Sequence, residues 1–182
     1  MPKVLWGEWA GAEPEIRLFG EFRIRLCTKL WHTIGMAART TVSLTHRAEN
    51  DLSRALRPAL VEVHEFAARI ALDAAMTRRL AIVAEELLVN LLEHGAESTP
   101  GGEINATLRI DQTDDSLALL LEDDGAPFDP RAVGPLDMPN AERGGGVGLA
   151  LVKAFAQIES YASKDGLNRL VLSMNPRREG AG

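Results

Sequence analysis

A single cysteine, Cys27, occurs in the 182 residues. It can form neither an internal disulfide nor a cysteine-built metal cage, which suits a reducing compartment. Long apolar runs are missing as well. None approaches a membrane span, and no charged, apolar and small-residue series marks a signal peptide, so a cytoplasmic protein is expected. Positive charge is scarce: 20 Lys and Arg stand against 26 Asp and Glu, for a net charge of −6. A general nucleic-acid binder needs clustered Lys and Arg to meet phosphate backbones, so protein partners are expected instead. There are no internal repeats, and no glycine-rich stretch ends in the Lys-Ser or Lys-Thr of a Walker loop. What is present, 46% apolar and 25% charged residues, suits one globular domain that buries its own core.

Residues 1–39 differ from the remainder. They hold all three tryptophans (Trp6, Trp9, Trp31) and the cysteine, and carry six basic against four acidic residues; residues 40–182 carry 14 against 22. Such a shift marks a boundary. Phe22, Ile24 and Leu26 alternate with charged residues as a short strand would. Two readings of this leader stay open, a partly disordered extension or a translation start at Met36. The division expected is an extension over 1–39, a domain over 40–175 and a polar, frayed tail over 176–182.

From Thr40, Val42 and Leu44 alternate with polar residues as a half-buried strand. Asn50 or Ser53 can cap a helix running towards Leu72, with Leu56, Leu60, Val63, Ala67 and Ile70 on one face; Pro58 requires that it start nearby or kink there. A second helix is predicted over Met76–Ala96, its apolar stripe made by Leu80, Ala84, Leu87, Leu88 and Leu91. Ser98 to Gly102 ends it with turn residues. Ile104, Ala106, Leu108 and Ile110 alternate in a strand, Asp114-Asp115 turns the chain, and Leu117 to Leu121 forms a more buried strand. Asp129-Pro130 can begin a short helix, and Gly134 to Arg143 reads as a mobile loop. Glycines at 144, 145, 146 and 148 lead into a helix through Phe155. Strands near Ile158 to Ala162 and Arg169 to Leu172 follow, joined by a turn at Lys164-Asp165-Gly166. Regular βαβ alternation is absent, so the expected fold is an α/β two-layer sandwich, a mixed and mostly antiparallel sheet with helices on one face.

Three polar groups accompany this frame. Glu86, Asn90 and His94 recur every fourth residue beside the apolar stripe, a ladder on successive turns. Asn90 offers the hard oxygen that magnesium requires, and Glu86, one turn earlier, is placed to take a proton from an attacking hydroxyl. Asp123 with Gly125 suits adenine, since a carboxylate accepts from the exocyclic amine and a glycine lets backbone and ring approach. Adjacent Asp124 is the competing carboxylate, and the spacing to Gly125 favours Asp123. Phe128 reads as a packing residue. Gly144 to Gly148 opens a helix, whose first N–H groups favour anions such as phosphate.

In order, E-x-x-x-N on a helix, D-x-G-x-x-F-D-P after an apolar strand and G-x-G-L-x-L-V opening a helix resemble the N, G1 and G2 boxes of the ATPase superfamily shared by gyrase, histidine kinases and mismatch-repair proteins. The resemblance runs from about Thr40 to Met174, and Tyr161 to Asn168, Y-x-x-x-D-G-x-N, also follows it. Within the superfamily the chain is most similar to the small anti-sigma-factor serine/threonine kinases of bacterial partner-switching systems. The resemblance implies the Bergerat, histidine-kinase-like fold, with ATP and Mg2+ as cofactors. It implies Glu86 as catalytic base and Asn90 as metal ligand. It further implies nucleotide contacts from Asn90, His94, Asp123, Gly125, Phe128, Gly144, Gly146, Gly148 and Leu149. Arg131 and Arg143 are the cations most able to reach the terminal phosphate, and their role in the lid stays open.

The activity so implied is an ATP-dependent protein kinase that sequesters a sigma factor and phosphorylates an antagonist protein, with homodimerisation open. Two alternatives remain: a non-catalytic adaptor whose binding surface is gated by ATP, and a histidine-kinase-type catalytic fragment. The segment His64 to Arg69 lacks the Arg and Pro of a phosphoacceptor box, so His64 is expected to be a solvated helix position.

Overall fold

The computed structural model describes residues 15–17, 23–25, 38–99, 101–113, 116–132 and 147–175. The chain divides into two units, Met1–Ile34 and Gly35–Gly182. In the first, β1 (Glu15–Arg17) pairs antiparallel with β2 (Arg23–Arg25). β2 lies where Phe22, Ile24 and Leu26 predicted a strand. Trp6, Trp9, Trp31, Cys27, Met36, the loop 134–143 and the tail 176–182 lie outside the described residues.

The second unit is a sheet with helices packed on it. β3 (Arg39–Arg47), β4 (Glu103–Gln112), β5 (Leu117–Asp123), β6 (Gln157–Lys164) and β7 (Leu167–Met174) stand in the order β3-β4-β5-β7-β6. Every pairing in it is antiparallel, so the parallel component of the expected mixed sheet is absent among the described residues. β6 and β7 are joined by two residues with positive φ, Asp165 at 53° and Gly166 at 76°. That is the turn whose twist matches paired strands.

Strand alternation decides which face is buried. Val42, Leu108, Ile110, Leu119, Leu121, Leu170, Leu172 and Met174 point to one side and form a single core with the helices. Each such side chain contributes roughly 1.5–3 kcal/mol when fully buried. The opposite face carries ion pairs, including Arg47–Glu103 at 2.6 Å and Arg169–Glu122 at 2.6 Å.

The first helix, α1 (Leu52–Arg69), is capped by Asp51. Its Oδ1 accepts from the Ser53 N–H at 2.9 Å, where Asn50 or Ser53 had been the candidates. The helix runs through Pro58 and buries Ala59, Val63, Phe66 and Ala67. It stops short of Leu72 because Ala71 turns left-handed at φ 52°, with the Leu72 N–H on the Ala67 carbonyl.

α2 (Ala74–Asn90) starts on Asp73, whose Oδ1 accepts from the N–H groups of Ala75 and Met76. It buries Leu80, Ala84, Leu87 and Leu88 as the period requires. Beyond Asn90 the single helix of the sequence reading gives way to a wide π-helical turn, Leu91–Gly95, and then to α3, Ala96–Ser98. The last helix, α4 (Val147–Phe155), packs beside α2. Among the described residues no helix is long and apolar enough to cross a membrane.

Candidate active site

Two rows of core side chains end in polar groups. On β5 the series Leu117, Leu119, Leu121 finishes at Asp123, and on β7 the series Met174, Leu172, Leu170 finishes at Asn168. The register places Asp123 opposite Asn168. Both are buried, at 8% and 3% exposure.

Burial without partners would be costly, and the partners are present. Asp123 Oδ1 accepts from the Gly125 N–H at 2.9 Å and from Asn168 Nδ2 at 2.8 Å. Asn168 Nδ2 also donates to the Gly125 carbonyl at 2.9 Å. The Tyr161 hydroxyl donates to Asn168 Oδ1 at 3.1 Å and accepts from the Phe128 N–H at 2.8 Å. Asp123 Oδ2 makes no hydrogen bond among the described residues. Burial pushes the Asp123 carboxyl above its usual range, against the Asn168 and Gly125 donors, which pull it down. Asp124 adds a smaller upward push. Asp124 itself is turned away: its carboxylate accepts from the Asn105 N–H at 2.7 Å and Nδ2 at 2.8 Å on β4.

A cavity of about 420 Å³ opens beside this pair. One wall comes from α2 and the wide turn, through Leu87, Asn90, Leu91, His94 and Gly95. Asp123, Asn168 and Tyr161 form the polar end, while Leu121, Leu170 and Leu149 supply apolar surface. The stretch from Ala126 to Phe128 and Pro130 closes another side. An apolar slot with one oriented, unpartnered buried acceptor fits a flat base that carries an amine. Asn90 and His94 make no side-chain hydrogen bond among the described residues, so both are available to a ligand.

The sequence pattern of the histidine kinase-like ATPase domain matches residues 49–174. Over 125 residues the chain is also 32% identical to the serine/threonine-protein kinase BtrW of Bordetella bronchiseptica, covering 66% of this chain and 86% of that protein. The chain belongs to the histidine kinase-like ATPase domain family. The α/β sandwich with its five-stranded antiparallel sheet is the fold expected of this ATPase domain.

Within that domain, the structure brings Asn90, His94, Asp123, Phe128 and Leu149 to one cavity. Glu86 stands elsewhere. It is half-buried and lies against Gly148 at the start of α4, outside the cavity lining. The even ladder of Glu86, Asn90 and His94 is not kept either, because the π-helical turn begins straight after Asn90 and changes the angular step before His94. His94 is exposed at the cavity wall. Gly144, Gly146 and Arg143 lie outside the described residues.

A Cβ on Gly125 would lie 2.5 Å from Ile104 Cδ1, so the glycine also serves packing against β4, and its N–H donates to Asp123. Two further expectations need correction. Phe128 was read as a packing residue, but it is 57% exposed, with its backbone N–H held by Tyr161. Among the described residues Asp129-Pro130 opens a turn and no helix; the Asp129 carboxylate accepts from the Arg131 N–H at 3.0 Å and from its guanidinium at 2.8 Å. Arg131 also donates to the Tyr161 carbonyl at 3.4 Å, which ties its loop to β6.

Asn168 and Tyr161 are the site residues that sequence reading did not assign. Their signal was present in the spacing from Tyr161 to Asn168, but only the adjacency of β5 and β7 gives it meaning. Ile104 was likewise read as one core residue of a strand. It also fills the side-chain space of two glycines, since a Cβ on Gly95 would lie 2.6 Å from the same Cδ1.

Proposed function

We propose that this protein is an ATP- and magnesium-dependent protein serine/threonine kinase of the partner-switching type, which sequesters a sigma factor and phosphorylates an antagonist of that anti-sigma activity. The observation that carries the nucleotide part is Asp123, with one oxygen saturated by Gly125 and Asn168 and the other left to the cavity. That oxygen suits the exocyclic amine of adenine. The serine/threonine assignment follows the resemblance and the kinase BtrW, and the partners follow the sequence resemblance alone.

In this reading Asn90 offers its amide oxygen to a magnesium ion, which supplies charge neutralisation on the phosphate oxygens when bound. Glu86, one turn earlier on α2, takes the proton of the attacking seryl hydroxyl. The new oxygen–phosphorus bond forms as the bond from the terminal phosphorus to the bridging oxygen breaks, and ADP leaves. His94 and Leu149 border the bound nucleotide.

One observation favours the competing reading, a non-catalytic adaptor gated by ATP: Glu86 lies outside the cavity lining. Substitution of Glu86→Gln separates the two. Purified protein is incubated with labelled ATP and candidate antagonists trapped from the native cell. A kinase loses transfer by about 10²-fold or more, in the range of general base catalysis, and keeps ATP affinity. An adaptor keeps all of its activity, and that result sinks the kinase reading.

A further inference from the structure

The space that a side chain at position 148 would fill is already taken. A Cβ built on Gly148 overlaps Glu86 Oε2, lies 2.9 Å from the Glu86 carboxyl carbon and stands 3.5 Å from Asn90 Nδ2. Gly148 is the second residue of α4, and α4 packs along α2, the helix that carries both other residues. It has no positive φ, so no backbone strain requires glycine there. Its bareness serves the approach of another side chain.

We infer that Gly148 is a positioning residue, the seat on which the Glu86 carboxylate rests beside Asn90. A glycine at the start of a helix in a nucleotide-binding domain is ordinarily understood as making room for phosphate. Here the room is filled from within the protein, by the group proposed as the base. Glu86 makes no hydrogen bond among the described residues, so steric contact with the first turn of α4 restricts its rotamer. A long carboxylate side chain with free rotamers samples many positions, and a misplacement of about 1 Å can lower a rate by about 10²-fold. Seating Glu86 against Gly148 restricts that freedom and brings α4 into register with the catalytic end of α2. The catalytic half of this inference rests on the kinase reading; the contact itself does not.

The test is a double-mutant cycle read by thermal unfolding of the full chain, with Gly148→Ala, Glu86→Ala and the pair. Alanine is the better helix former, so on propensity alone Gly148→Ala raises the melting temperature by about 2–4 °C for a chain of this size. With Glu86 present the clash reverses the sign, and we expect a fall of about 2–10 °C. With Glu86→Ala in the background the rise returns. Equal effects in both backgrounds overturn the contact and the inference with it.

Transfer kinetics complete the test. Gly148→Ala lowers kcat by about 10–100-fold while ATP affinity, measured by calorimetry, stays within about threefold. A loss confined to ATP affinity assigns Gly148 to phosphate binding and overturns the positioning role. Thermal coupling in a parent protein that transfers no phosphate overturns the kinase reading and the catalytic half of the inference together.

Discussion

Asn168 Nδ2 donates to Asp123 Oδ1 at 2.8 Å across 45 residues of sequence, joining the ends of two neighbouring strands. The bond orients the carboxylate, so that one oxygen is saturated and the other serves the cavity. It also mitigates the burial of a charge, since a hydrogen bond to the ionised form favours that form.

Burial still dominates, and the Asp123 carboxyl is raised above its ordinary value. The folded state therefore holds this proton more tightly than the unfolded chain does. The associated stability is present in full below about pH 4, the unfolded value, and is lost as pH rises through the raised one. At neutral pH the carboxylate is a net cost. Asp123→Asn is expected to raise the melting temperature of nucleotide-free protein at pH 7, with the gain shrinking towards pH 4. The amide places a donor against the amine of the base, so ATP affinity falls about 10–100-fold, the scale of a hydrogen bond to a charged group. Scanning calorimetry from pH 4 to 8 and titration with ATP measure both. A lower melting temperature at pH 7 would show that the carboxylate is held by more than these two donors.

Ile104 Cδ1 occupies the side-chain space of Gly95 and Gly125 at once, so one methyl spaces the wide turn from the Asp123 loop. Ile104→Val removes that methyl and costs about 0.5–1.5 kcal/mol of stability. Gly125→Ala alone is overpacked and costs about 1–3 kcal/mol. Combined, the two relieve each other, and the pair is expected to be less destabilised than the sum of its parts by at least about 0.5 kcal/mol. Urea unfolding of the four proteins decides it, and simple additivity refutes the spacing role.

Phe128 presents its ring at the cavity rim while only its backbone is held. Phe128→Ala is expected to leave stability within about 0.5 kcal/mol, as exposed substitutions do. Any loss of ATP affinity then reports a direct contact. We expect a loss of about 5–30-fold for ATP, measured by calorimetry, corresponding to about 1–2 kcal/mol of aromatic contact. Equal affinity for wild type and variant removes Phe128 from the site.

Much of this was legible in the sequence because periodicity reports burial. Leu80, Ala84, Leu87 and Leu88 on α2 and Ile104, Ala106, Leu108 and Ile110 on β4 are all buried where their spacing placed them. Spacing also distinguished Asp123 from Asp124, which the structure turns towards Asn105. The wide turn left no trace, because Leu91 and Leu92 are both apolar and satisfy either helical period. The cap of α1 was misread by one or two residues, since Asn50, Asp51 and Ser53 are all capping types and local sequence does not rank them. Phe128 was read as a packing residue, yet an apolar side chain need not be buried, and its ring is exposed. Asn168 could not be linked to Asp123 by any local pattern, since their meeting depends on strand order.

That strand order has a consequence for synthesis. β7 lies inside the sheet, between β5 and β6, yet it is the last of the five strands in the chain. A chain emerging from the ribosome can pair β3, β4 and β5 while the far edge of β5 waits for its neighbour. Asp123 is then made long before Asn168, and its carboxylate has no amide to orient it. The oriented acceptor of the proposed nucleotide site therefore arrives only with the final hairpin, once translation has passed Met174.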